Sequence, residues 1–217
     1  MTNTVCKIFF YSPNLIFTKF IVIFFITLSP VTDALTSGFD EGIDYRVIEN
    51  PEISKGKFDN QVIEFFGYFC PHCKNFSPAL KKWEKSLPKT VSFKQLHVPF
   101  RDINHQRLFF TLSEIKSEDK LHSKIFNAVQ VQRLPLSDYL DILSWVENQG
   151  VNEDVFEKAW NSKNVKENMR LATKLMKDFK VDGVPLLVVN GKYITSPGMV
   201  GGSHKRALKV VDFLLEK

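Results

Sequence analysis

The chain has 217 residues, 44% apolar and 24% charged, the balance of an ordinary soluble globular protein of one or two domains with a sizeable core. Its net charge of +5 is mild and forms no Lys/Arg block, which excludes a nucleic-acid-binding reading, and three cysteines are too few for a structural disulfide framework. The 20 phenylalanines point to a Phe-rich core or to an apolar binding face.

Residues 1–34 stand apart. Lys7 and Lys19 precede Phe20–Leu28, an uncharged run of nine residues, and Ser29-Pro30 breaks it. Thr32-Asp33-Ala34 then offers small residues at the −3 and −1 positions of a cleavage site. This predicts a secretory signal peptide over 1–34, because the run is short for a spanning helix. An uncleaved anchor is the alternative. Cleavage would remove Cys6 and lower the net charge of +5 by one. The remaining cysteines would be Cys70 and Cys73, a single close pair in an exported chain.

Residues 35–44 are short and polar. Tyr45–Ile48 reads as a first strand, ended by Asn50-Pro51. Val62–Phe66 reads as a central strand covered on both faces, since it is apolar almost throughout. Glu64 is its exception. It is either a carboxylate that reaches water or a cation, or a buried acid with a raised pKa that relays a proton.

Cys70-Pro71-His72-Cys73 follows that strand and opens a helix. The spacing lets the two sulfurs reach disulfide geometry. Pro71 suits the first helical position, which needs no N–H. Cys70 then falls at the N-cap, facing free N–H groups and the positive end of the helix dipole, which favours thiolate. His72 adds a donor or a positive charge. Half of a zinc site is one alternative, but the histidines at 97, 105, 122 and 204 are scattered along the chain and zinc wants four ligands. An inert disulfide is another, though so small a loop removes little unfolded-chain entropy.

Phe76, Leu80, Trp83 and Leu87 predict one apolar helical stripe, kinked at Pro78. Val91–Val98 alternates as a strand before Pro99. Strand, helix and strand make a right-handed parallel βαβ unit, with the cysteines at the carboxyl end of its first strand.

From 102 to 178 the pattern predicts about five helices. Their apolar faces are Leu108/Leu112/Ile115, Leu121/Ile125/Val129, Tyr139/Leu143/Val146, Val155/Phe156/Ala159/Trp160 and Leu171/Leu175/Met176/Phe179. Ser137 or Asp138 caps the third and Gly150 stops it. Gly183–Val189, a strand opening on a proline, resumes the sheet. Asn190-Gly191 is a two-residue hairpin turn and Lys192–Thr195 returns. Ser203 caps a last helix with Leu208, Val211 and Leu215 on its face.

Taken together, Glu64–Cys73 with its Pro-His dipeptide, Gly183-Val184-Pro185, Val189–Tyr193 and the helical block between the halves resemble the thioredoxin superfamily, and within it the DsbA family of periplasmic disulfide oxidases. The resemblance spans 38–217. It implies an α/β, thioredoxin-like fold interrupted by an inserted all-helical domain: 35–101, helical insertion 102–172, and 173–217. It also implies that Cys70 is the exposed reactive cysteine and Cys73 its buried partner, forming a redox-active disulfide with no other cofactor and no metal. Val184 and a cis Pro185 would dock substrate main chain, and Glu64 would be the family's buried acid. The family often pairs that acid with a lysine, whereas here Gln95 holds the matching position and Lys94 should face the other way.

The implied activity is disulfide formation in reduced or unfolded exported proteins in the periplasm, by a monomer that a DsbB-like membrane quinone reductase reoxidises. Isomerases of the related DsbC kind carry an N-terminal dimerisation domain, for which 35–44 is too short. An isomerase or reductase on the same fold, and a non-catalytic peptide- or metal-binding module, are the competing readings.

Overall fold

A computed structural model describes residues 38–48 and 56–217. The expected signal segment and the Asn50-Pro51 stop lie outside the described residues. Five strands form one mixed sheet: β1 (Arg46–Val47), β2 (Gln61–Phe66), β3 (Ser92–His97), β4 (Leu186–Val189) and β5 (Tyr193–Thr195), in the order β1-β5-β4-β2-β3. β2 and β3 are parallel, joined by helix α1 (Pro71–Glu84), and the remaining pairings are antiparallel. This is the α/β, thioredoxin-like arrangement expected from the sequence.

β2 is apolar because both its faces are covered. Val62 packs with Phe76 and Leu80 of α1 and with Val210 and Leu214 of the last helix. Ile63 and Phe65 face the opposite way, onto Leu175 and Phe179. Strand alternation puts Glu64 on the same face as Val62, beneath α1. α1 runs on through Pro78, which is exposed, and ends at Glu84, so Leu87 packs from the turn beyond it.

Between β3 and β4 lie five helices: α2 (Ile103–Glu114), α3 (Glu118–Gln130), α4 (Tyr139–Asn148), α5 (Glu153–Trp160) and α6 (Lys163–Asp178). Side chains of Asp102, Asp138, Asn152 and Ser162 cap α2, α4, α5 and α6 by accepting backbone N–H bonds. Gly150, at φ +83°, follows the end of α4. Leu108, Leu112, Leu121, Ile125, Phe126 and Phe156 fill the core of this block. α6 serves two cores: Val165 and Ala172 pack among the helices, whereas Leu175 packs on the sheet side.

Two expected faces each include one residue that points outward. Val155 and Leu171 are 50% and 40% exposed, because α5 buries Phe156, Ala159 and Trp160, and α6 buries Val165, Ala172 and Leu175. Each misplaced residue is one position from the buried line, about 100° around the helix. α4 buries Ile142 and Val146, with Tyr139 and Leu143 flanking them.

The β4–β5 connection is one residue longer than expected. Asn190 and Gly191 both adopt positive φ, +53° and +63°, as an Asn-Gly turn requires. Yet Val189 pairs with Tyr193, which leaves Lys192 in the connection, where its carbonyl accepts from Ile48 N at 2.8 Å. A short 3₁₀ turn, Pro197–Val200, leads to Ser203, which caps α7 (His204–Leu215). α7 buries Leu208, Val211 and Leu214, with Leu215 at the margin.

Candidate active site

α1 begins where β2 ends, and the geometry of its first turn organises the site. Cys70 is the N-cap, in extended backbone (φ −92°, ψ 115°), and Pro71 is the first helical residue. Instead of a hydroxyl or carboxylate, the cap acceptor is a sulfur: Cys70 Sγ lies 3.4 Å from Cys73 N. The first turn holds no acidic side chain to oppose a thiolate, and His72 stands exposed within it.

Cys70 and Cys73 are both free thiols. Their environments differ sharply. The Cys70 pKa is lowered to about 6, chiefly by a hydrogen bond from the Cys73 side chain, against burial, which raises it. The backbone N–H groups of Cys73 and His72 and the His72 charge add to the lowering. Cys73 is pushed far up by burial and by its bond with Cys70. The expected exposure of Cys70 needs correction: it is only 7% accessible, against 1% for Cys73. The cover comes from the opposite loop, where the Val184 carbonyl oxygen accepts from the Cys70 thiol at 3.2 Å. The Val184-Pro185 peptide is cis, Val184 is half-buried and Pro185 is buried. A cleft of about 460 Å³ opens beside this contact, lined among others by Arg46, His72, Val184, Pro185, Pro197 and Met199. A larger hollow of about 630 Å³ lies near Phe39, Arg206 and Phe213 and contains none of these groups.

Glu64 is 2% exposed and sits directly opposite Gln95 in the parallel ladder. Gln95 Nε2 donates to Glu64 Oε2 at 2.6 Å. Burial drives the Glu64 pKa up to about 8, and the Gln95 bond offsets part of that rise. The charge of Cys70 raises it further. Lys94, beside Gln95, is exposed.

A polar cluster that the sequence pattern did not reveal lies behind the loop 67–70. His97, His105 and His122, far apart in the chain, gather around the fully buried Tyr68, with ring centroids 5.0, 6.4 and 5.5 Å from it. Tyr68 N donates to His97 Nε2 at 2.9 Å. Burial holds His97 well below the usual imidazole range and His122 at about 4, and His97 Nε2 is the acceptor of the Tyr68 N–H. Gln130, the last residue of α3, donates from Nε2 to the carbonyls of Tyr68 (2.7 Å) and Cys70 (3.0 Å). Its only sequence signal is a glutamine at a helix end, which is ordinary. Gly67 lets the Phe69 ring lie against the backbone: a Cβ there would stand 2.4 Å from it, so a larger residue would have to displace that ring. Among the described residues, no group of three or more His, Cys, Asp or Glu is placed to hold a metal ion.

A Cys-x-x-Cys pair capping the first helix of a thioredoxin-like sheet, with one thiol stabilised as an anion and the other suppressed, defines a thiol–disulfide oxidoreductase. Comparison with known proteins agrees. The family model described as DSBA-like thioredoxin domain matches residues 61–207. The chain is 36% identical over 179 residues to the thiol:disulfide interchange protein DsbA of Burkholderia cepacia, covering 81% of this chain and 84% of that one. It is 37% identical to the protein of the same name from Azotobacter vinelandii, covering 77% and 78%. The crystal structure of Pseudomonas aeruginosa DsbA superposes with a TM-score of 0.77 at 32% identity, over 83% of this chain and 95% of that one. The chain belongs to the DsbA family of disulfide oxidoreductases.

Proposed function

We propose that the protein is exported to the periplasm and there introduces disulfides into reduced or unfolded exported proteins through Cys70 and Cys73. In the oxidised enzyme a substrate thiolate attacks Cys70 Sγ. The Cys70–Cys73 bond breaks, and Cys73 leaves and takes up a proton. Glu64, with its pKa of about 8, carries a proton at neutral pH and interacts electrostatically with Cys73, which supports it as the proton source. The substrate's second thiolate then attacks its own sulfur in the mixed disulfide, and Cys70 leaves as a thiolate. Two substrate thiols become one disulfide, and the enzyme gains two electrons.

The asymmetry of the two thiols carries this reading. A Cys70 pKa near 6 makes Cys70 the better leaving group and stabilises the reduced enzyme, so its disulfide is the stronger oxidant. That link between low pKa and oxidising power is long established for DsbA. Pro71 is pre-organised for the helix start, and His72 supplies charge to the thiolate. Val184 and Pro185 border the cleft and the reactive sulfur, which supports a role in docking an extended substrate segment.

The signal segment read over 1–34 supports export, and oxidising compartments are where disulfides persist. Family membership supports reoxidation by a DsbB-like membrane protein with a quinone behind it. The test is oxidation of a reduced, unfolded model protein by the purified enzyme. The reading requires stoichiometric transfer of the disulfide by the native protein and none by Cys70→Ser. Failure of the oxidised native protein to transfer its disulfide would overturn it.

A further inference from the structure

Tyr68 is buried and held at three points. Its N–H donates to His97 on β3, its carbonyl accepts from Gln130, and its hydroxyl meets His122 Nδ1 at 3.3 Å. Gln130 alone among these partners also reaches the reactive residue. The two hydrogens of its amide serve two carbonyls, those of Tyr68 and Cys70. Among the described residues no other donor reaches the Tyr68 carbonyl. The Cys70 carbonyl also accepts the first α-helical bond, from Lys74 N at 3.2 Å. Gln130 therefore clamps the loop at the start of α1 from outside, and does so from the helical block.

We propose that Gln130 is a positioning residue for the Cys70–Cys73 centre, fixing the Cys70 backbone so that its sulfur stays in the cap of α1. The proposal rests on the reading of Cys70 as the reactive thiol. The sulfur lies between Cys73 N at 3.4 Å and the Val184 oxygen at 3.2 Å. The first contact stabilises the thiolate, whereas the second opposes it, because a carbonyl oxygen accepts from a thiol and repels an anion. The balance between them depends on where the Cys70 backbone sits. The 67–70 turn is closed internally by Cys70 N to Gly67 O at 2.9 Å, but that bond fixes its shape and not its position relative to Val184. Gln130 supplies the tie to a separate, well-packed element.

A bland role is available: a helix-terminal glutamine that only satisfies two carbonyls. The two roles differ in what they move. Gln130→Met keeps length and apolar bulk and removes both donors. His72, Cys73 and Glu64, the other groups that act on Cys70, are all retained. The positioning role predicts that the midpoint of Cys70 thiolate absorbance rises by about half a unit in Gln130→Met. The equilibrium with glutathione then shifts about threefold toward the disulfide form of the enzyme. Gln130→Glu, which sets a carboxylate against the two carbonyls, should shift both further. A lowered melting temperature with midpoint and equilibrium unchanged would overturn the proposal.

If neither variant folds, the wild type decides. The Gln130 side-chain amide resonances should follow the Cys70 titration, and an amide that stays flat through it would overturn the proposal. Disulfide transfer by the wild type is measured in parallel. Its absence sinks the oxidase reading alone, whereas an active wild type with an unshifted Gln130→Met sinks the positioning role alone.

Discussion

Gln95 donates a 2.6 Å hydrogen bond to the carboxyl of Glu64, one strand over and under the cysteines. A neutral amide in that place cannot offset the loss of water around a buried carboxylate, so Glu64 holds its proton to about pH 8. The sign of the pH effect follows. The folded pKa lies above the ordinary carboxyl value of about 4.5, so the stability contribution is complete below about pH 4.5 and is lost as pH rises through 8. Urea unfolding of the oxidised protein should show wild type losing stability relative to Glu64→Gln across that window. In the disulfide form the charge of Cys70 is absent, but burial, the largest cause, remains.

A cation at position 95 should reverse the balance. Gln95→Lys places an ammonium beside the carboxyl, and Glu64 is then expected to titrate clearly lower, ionised at pH 7. Carboxyl infrared bands or side-chain carbon shifts followed against pH would show it. An unmoved Glu64 midpoint would mean that the lysine turns away to solvent.

Cys70 titrates with the opposite sign. Cys70 is lowered from 9.0 to about 6, so the reduced protein gains stability as pH rises through that interval and loses it as pH falls toward 6. The oxidised protein has no such group. The stability difference between reduced and oxidised forms should therefore move in favour of the reduced form between pH 6 and 9. Parallel denaturation curves at several pH values check this.

The largest single cause of the low Cys70 pKa is the bond from the Cys73 side chain. Cys73→Ala removes that donor. The Cys70 midpoint, read by alkylation rate against pH, should then rise toward the ordinary thiol value while staying below it, because the N–H groups of the first turn remain. In the wild type, alkylation should fall on Cys70, since Cys73 is the more deeply buried of the two and is held as a thiol.

The frame of this molecule was legible because its signals were local. The apolar run before Cys70, Pro71 at the helix start, the alternation of 91–98 and the Asn190-Gly191 turn each state a backbone preference within a few residues. Glu64 announced itself as an acid in an apolar strand; the family resemblance pointed to Gln95 as its partner position, and strand alternation turned Lys94 to the other face. What escaped was tertiary. Val155 and Leu171 sit one position from the buried line, a difference that depends on which neighbour a short helix meets. The cover over Cys70 comes from Val184, more than a hundred residues away. Tyr68, His97, His122 and Gln130 converge only when β3 and α3 pack together, and none of them stands in a recognisable spacing.

The most direct measurement is the redox equilibrium of the Cys70–Cys73 pair with glutathione at pH 7. A stabilised Cys70 thiolate predicts an oxidising couple, its disulfide readily reduced by glutathione at a potential well above the roughly −270 mV of thioredoxin. A potential near thioredoxin's would contradict the assignment of this pair as a donor of disulfides.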